Sequence, residues 1–256
     1  MINAVSRLSS AACRAALRSR NLSAVRPASH PAFWTSQQLY KHAAARAFGT
    51  QSCTGAVNLC DLVGREMPSF KTAAVVDGAV KDFDAAEHFR GSYGLIIFYP
   101  LDFTFVCPTE LLSFSERLSE FEERGVKVIG VSIDSPFSHL AWSQMDLKSG
   151  GLKGLKFPLV SDMSRSIVTS FGVLRPEGFA QRSSVLVDKS GKVRHVAVFD
   201  LGIGRSVDET LRVFDAIKLS DETGQVCPAN WKKGGAAIAP TAASTGEYLD
   251  KTFVKA

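Results

Sequence analysis

Beyond residue 60, the pattern of apolar and polar positions divides the chain into a succession of short strands and helices. The stretch SFKTAAVVDGAVKDF holds two β-prone runs on either side of Asp77-Gly78. An Asp-Gly pair between such runs favours a type I′ turn, so the stretch is read as a hairpin. GLIIFY, residues 94–99, is apolar without interruption, the pattern of a strand buried on both faces. In PTELLSFSERLSEFEERG the apolar residues Leu111, Phe114, Leu118 and Phe121 are spaced as one stripe of a helix. Gly125 is placed to end that helix. VKVIGVSI, residues 126–133, repeats the buried-strand pattern. Strand, helix and strand in this order predict a βαβ unit with a parallel pair.

The next helix is expected from about Ser135 to Lys148, closed by Gly150-Gly151. FPLVSD, 157–162, reads as a strand and SRSIVTSFGV as a short helix. SSVLVDKSGKVRHVAVF, 183–199, reads as a second hairpin turning at Lys189–Lys192. SVDETLRVFDAIKLS opens with Ser206 and Glu209 in capping-box spacing, and Val207, Leu211 and Phe214 face inward. From Gly224 onward the chain is rich in Gly, Ala, Pro and Thr and reads as irregular or weakly helical. The expected fold class is α/β, a central mixed sheet with helices on both faces. Residues 61–222 form the expected domain, and 223–256 a C-terminal arm.

Composition changes this picture only at the N-terminus. With 45% hydrophobic and 21% charged residues, the chain is ordinary for a globular protein. No apolar run approaches the roughly 18 residues of a membrane-spanning helix. The net charge of +5 is unevenly placed. Residues 1–60 carry Arg7, Arg14, Arg18, Arg20, Arg26, Lys41 and Arg46 and no acid, so the remainder is mildly acidic. A basic excess confined to a leader argues against a nucleic-acid binder. The leader is rich in Arg, Ser and Ala, as organelle presequences are. At about 100° per residue, Arg7, Arg14 and Arg18 share one helical arc, opposite Ile2, Val5, Leu8 and Ala12. It lacks the continuous apolar core of a secretory signal. Residues 1–50 are therefore read as a mitochondrial presequence cleaved near Arg46–Thr50, with the matrix as destination. A plastid-type transit peptide and a basic tail that stays on are the alternatives.

The cysteines are Cys13, Cys53, Cys60, Cys107 and Cys227. No two make a C-x-x-C pair, so neither a thioredoxin-type motif nor a zinc knuckle is supported. In a reducing organelle matrix, catalytic thiols are favoured over a static disulfide. Cys107 follows a loop after a buried strand and precedes a helix whose first turn holds Pro108. Unpaired N–H groups and the positive dipole end favour a thiolate there. An inert buried thiol is the competing reading, and position alone does not separate the two. Cys53 and Cys60 are read as incidental thiols.

FYPLDFTFVCPTE closely resembles the active-site segment of the typical 2-Cys peroxiredoxins. SIDSPFSHLAW, FPLVSD, FGVL and GRSVDETLR are similar to further stretches of that family, in its order, and GQVCPANW resembles the family's GEVCP.GW. The resemblance runs from about Leu62 to the C-terminus and implies a thioredoxin-like fold. It implies that Cys107 is the peroxidatic thiolate, oxidised by a hydroperoxide to a sulfenic acid. Thr104 matches the family's peroxide-binding hydroxyl, Pro100 its shielding proline and Arg182 its activating arginine. Glu110 and Arg205 match residues that orient this arginine. Cys227 matches the resolving cysteine, which forms a disulfide with Cys107 of another subunit in a head-to-tail homodimer. A thioredoxin-like partner is implied as reductant, and a decameric or dodecameric ring as assembly. No cofactor, metal, nucleic acid or membrane is implied.

The family's overoxidation-sensitive members carry a GGLG loop and a C-terminal Tyr-Phe. This chain has Gly150-Gly151-Leu152-Lys153 and Tyr248-Leu249, which implies milder sensitivity. A ring-forming holdase chaperone and a disulfide oxidoreductase acting on proteins are the competing functions. The missing C-x-x-C weighs against the latter.

Overall fold

The computed structural model describes residues 61–254. The expected presequence lies outside them, as do Cys13, Cys53 and Cys60.

A seven-stranded sheet runs in the order β2-β1-β5-β4-β3-β6-β7. The first hairpin joins β1 (Lys71–Val76) to β2 (Ala79–Asp84). Asp77 and Gly78 both have positive φ, 52° and 73°, as a type I′ turn requires. The centre of the sheet is parallel: β3 (Tyr93–Phe98) lies beside β4 (Val126–Ser132), and β4 beside β5 (Leu159–Ser161). β6 (Ser183–Val187) pairs antiparallel with β3 and with β7 (Val193–Val198), while β1 pairs antiparallel with β5. The sheet is mixed, as expected.

Alternation along the strands builds two cores. Leu95, Ile97, Val126 and Val128 face one layer, with α2 (Cys107–Glu116), α3 (Leu118–Glu122) and α6 (Val207–Thr223). Ile96, Phe98, Ile129 and Val131 face the other, with α1 (Ala85–Phe89) and α5 (Ser166–Ser170). β3 is buried along its whole length because helices cover both of its faces. The expected stripe of Leu111, Phe114, Leu118 and Phe121 is buried.

Three local readings are corrected. The single helix expected after Pro108 breaks at Arg117, whose backbone turns to φ −101°, ψ 20°. The Arg117 side chain pairs with Glu120 and, across to α6, with Asp208. α4 (Pro136–Gln144) ends four residues early, before a 3₁₀ turn at Leu147–Ser149 and Gly150 at φ 80°. The reversal is tight: a Cβ on Gly151 would lie 2.1 Å from the Met145 carbonyl oxygen. The capping box at Ser206 is half formed. Ser206 Oγ accepts from Glu209 N at 3.2 Å, but the Glu209 carboxylate pairs with Arg212 instead of reaching back.

The C-terminal arm is more ordered than its composition suggests. Gly224, at φ 68°, ends α6, and Val226 and Ile238 then exchange two backbone hydrogen bonds. α7 (Ala242–Phe253) follows, capped by Thr241, and buries none of its side chains.

Candidate active site

The site forms where β3 ends. Because β6 runs antiparallel to β3, Ser183 lies opposite Phe98. Arg182, one residue before β6, is thereby delivered to the loop that leaves β3. That loop, residues 99–106, leads into α2 at Cys107. No side chain caps this helix, so its first-turn N–H groups stay free beside the sulfur.

Cys107 is 1% exposed and is a free thiol. The Arg182 guanidinium lies against it, with Nη2 at 3.7 Å and Nη1 at 3.8 Å from Sγ. The Leu201 carbonyl oxygen holds Arg182 from behind, accepting from Nη2 at 2.9 Å and Nε at 3.3 Å. Arg182 Nη1 also donates to Glu110 Oε2, one turn into α2.

Glu110 is shared. Arg205 donates to it from its backbone N at 2.9 Å, from Nε at 2.8 Å and from Nη2 at 3.0 Å. The remaining Arg205 nitrogen, Nη1, reaches the carbonyl oxygens of Phe98 at 3.0 Å and Ser183 at 2.7 Å. Arg205 thus ties α2 to the ends of β3 and β6. Burial works against its charge, and the Glu110 carboxylate is the chief group opposing that effect.

Counting charge decides what this arrangement does. The side chains of Arg182, Arg205 and Glu110 are all at most 3% exposed. Two cations and one anion leave one positive charge unbalanced in a dry site, and a buried unpaired charge is costly. A negative charge formed on the Cys107 sulfur, 3.7 Å from Arg182, would balance it. A charge pair about 4 Å apart gains roughly 4 kcal/mol at an effective dielectric of 20. The helix dipole adds only about 1 kcal/mol or less. For such a charge Arg182 would count for more than the helix start, although the helix start is the feature visible in the local sequence.

Thr104 and Pro100 sit on the same loop. Pro100 is buried, and Thr104 Oγ1 donates to the Leu101 carbonyl oxygen at 2.9 Å. With that proton engaged, the Thr104 hydroxyl presents lone pairs that can accept from the O–H of a hydroperoxide. The intervening Phe103 has φ 54°, a strained value for a bulky residue, costing on the order of 1–2 kcal/mol.

Cys227 is not part of this cluster. It is a half-buried free thiol whose Sγ donates to the Ala216 carbonyl oxygen of α6 at 3.7 Å. Burial pushes this thiol up, and the Arg212 cation opposes the push. The arm around it is docked on α6: Arg212 Nη1 donates to the Trp231 carbonyl oxygen at 3.0 Å, and Trp231 is buried. The local sequence carries no sign of this docking.

Sequence reading also missed the buried cluster of Tyr99, Asp102, Ser138 and His139. Its residues stand in two of the family-like segments, but no periodicity links them. Among the described residues, no group of three or more His, Cys, Asp or Glu is set to hold a metal ion.

Comparison with known proteins bears on the family and the fold. The AhpC/TSA family model matches residues 63–196, and that of the C-terminal domain of 1-Cys peroxiredoxin matches 216–251. Peroxiredoxin-2 of Macaca fascicularis is 46% identical over 190 residues, 74% of this chain and 96% of that protein. A chloroplastic 2-Cys peroxiredoxin of Hordeum vulgare is 48% identical, over 73% of this chain and 90% of its own length. The reduced 2-Cys peroxiredoxin of Plasmodium vivax superposes with a TM-score of 0.72 at 43% identity, covering 74% of this chain and 98% of that one. The mitochondrial 2-Cys peroxiredoxin of Plasmodium falciparum gives 0.62 at 40% identity, covering 65% and 100%. At such identity across nearly the whole length of its relatives, and with the same thioredoxin-like fold, the chain belongs to the peroxiredoxins, thiol peroxidases of the AhpC/TSA family.

Proposed function

We propose that Cys107 is the peroxidatic thiol and Cys227 the resolving thiol of a homo-oligomeric peroxidase that thioredoxin reduces. The observation that carries this reading is the Arg182 guanidinium, 3.7 Å from a buried sulfur that starts a helix. The Cys107 thiolate attacks the terminal oxygen of a hydroperoxide. An S–O bond forms, the O–O bond breaks, and the alkoxide or hydroxide that leaves takes up a proton. Arg182 stabilises the charge growing on that leaving oxygen. Thr104 accepts a hydrogen bond from the peroxide, and Pro100 limits water at the sulfur. Glu110 and Arg205 hold Arg182 in place.

Cys107 is then a sulfenic acid. The Cys227 sulfur attacks it, the S–S bond forms, and the S–O bond breaks to release water. Because Cys227 is docked on α6, the arm must leave that helix before its sulfur meets a Cys107. We assign the disulfide to two different subunits. The exposed Phe105 and Phe137 and the uncovered α7 support association with further copies of the chain. A dithiol of a thioredoxin then exchanges with the disulfide and restores both thiols.

A non-reducing gel after one equivalent of hydrogen peroxide tests this assignment. The unaltered chain is expected to run as a covalent dimer, and Cys107→Ser and Cys227→Ser each as monomers. A disulfide confined to one monomer overturns the intersubunit part.

Overoxidation is expected to be mild. Lys153 replaces the last glycine of the sensitive loop and pairs with Asp146 at 2.8 Å, and Leu249 stands exposed where sensitive relatives carry phenylalanine. Mass spectrometry of Cys107 during turnover at rising peroxide checks this. Heavy sulfinic acid at low peroxide counts against it.

The acid-free basic leader supports delivery to the mitochondrial matrix. A fluorescent protein fused behind residues 1–60 is expected to enter mitochondria. A reporter that stays in the cytosol or enters plastids rejects the assignment.

A further inference from the structure

A second buried polar cluster grips the loop that delivers Cys107, and the reaction above does not use it. At its centre the Asp102 carboxylate accepts from Tyr99 Oη at 2.9 Å, Ser138 Oγ at 2.9 Å and His139 Nδ1 at 2.8 Å. A carboxylate only accepts, so the imidazole is the donor at Nδ1. The opposite ring nitrogen, Nε2, lies 3.3 Å from the Val160 carbonyl oxygen of β5. The Asp102 backbone N–H donates to Asp134 Oδ2 at 3.0 Å. One loop residue is thus held by Tyr99 at the start of the same loop, by the β4–α4 connection and by α4. The His139 and Asp102 side chains are 0% and 1% exposed.

The next residue explains the need for such a hold. Phe103 adopts φ 54°, and its ring packs 5.7 Å from that of Trp142. A strained backbone persists only where the surroundings impose it. Thr104 follows immediately, and Pro100 lies two residues before the anchor. A buried network of hydrogen bonds fixes orientation through its directional bonds.

We propose that Asp102 and His139 are positioning residues for peroxide reduction. They hold residues 99–106 in the strained path that presents Thr104 and Pro100 to a peroxide at Cys107. They touch no reacting atom, and the inference rests on the peroxidase reading above. A misplacement of about 1 Å at a reacting centre can lower a rate on the order of 100-fold.

The test uses the full reduced chain and two probes. Hydrogen peroxide, followed by stopped-flow tryptophan fluorescence, reports the oxidation of Cys107. Iodoacetamide reports the nucleophilicity of the same sulfur without calling on Thr104. In His139→Gln and Asp102→Asn, peroxide oxidation is expected to slow by on the order of 100-fold while alkylation is unchanged. Ser138→Ala removes one donor and leaves the pair, and keeps the test informative should the stronger variants fail to fold. Its expected loss is within about tenfold, again for peroxide alone. An unchanged peroxide rate overturns the proposal, and so does a parallel fall with both probes. If the unaltered chain itself fails to react with peroxide, the peroxidase reading falls first and this inference with it.

Discussion

Cys107→Ser is expected to lower peroxide-dependent, thioredoxin-coupled turnover by at least roughly 10⁴-fold, the scale on which loss of a covalent nucleophile acts. A serine hydroxyl at neutral pH is neither ionised nor polarisable enough to displace an oxygen from a peroxide. The substitution also changes the charge count. With a hydroxyl that does not ionise in place of the sulfur, Arg182 and Arg205 have Glu110 alone as a possible counter-charge. The binding of a small anion beside Arg182 is therefore expected in the serine variant, seen as protection from thermal unfolding by added anions. The rate itself is read from consumption of reductant. Turnover that survives Cys107→Ser removes Cys107 from the role given to it.

Glu110→Gln is expected to have the largest effect on stability. Among the described residues, Glu110 is the carboxylate that pairs with both buried guanidinium groups. Removing one partner of a buried ionic group costs about 3–5 kcal/mol, because the charge left behind cannot regain water. In a domain of this size, each kcal/mol shifts the melting temperature by about 2–4 °C, so a fall of roughly 6–20 °C is expected. Gln keeps the shape of Glu but turns an NH₂ group toward a guanidinium. Arg182 then loses one of its two supports, the other being the Leu201 carbonyl oxygen. Slower oxidation of Cys107 should accompany the lower melting temperature. Calorimetry and stopped-flow oxidation of the same sample measure both. Wild-type values for both would show that the cluster does not need its anion.

The elements were largely legible because their signals are local. Asp77-Gly78 marks a turn through the positive φ it tolerates, and the stripe from Leu111 to Phe121 marks the buried face of a helix even though Arg117 interrupts it. The helix ends were less legible. Where α4 stops depends on the tight packing of Gly151 against Met145. Arg117 breaks its helix while paired with an aspartate on α6, a residue far along the chain. The arm after Gly224 shows the same limit. Its composition suggests an unsupported tail, and docking on Arg212 and Ala216 gives it a place.

By itself, the amino-acid order determined the α/β class, the two hairpins, and a cysteine at the start of a helix. It also carried the family resemblance that names Arg182, Glu110 and Arg205. The class, the hairpins and the helix start are read from periodicity and turn chemistry within a few residues, whereas the places of Arg182, Glu110 and Arg205 are what the resemblance implies. Only the tertiary structure decided what surrounds the sulfur. The antiparallel pairing of β3 with β6 brings Arg182 beside Cys107, and Arg205 then locks Glu110 to the ends of both strands. The Asp102–His139 anchor likewise joins a loop to a helix packed behind it. The physical reason is common to all three. Electrostatic pairing acts through space over a few ångströms, and which residues come that close is set by strand order and helix packing, not by spacing along the chain.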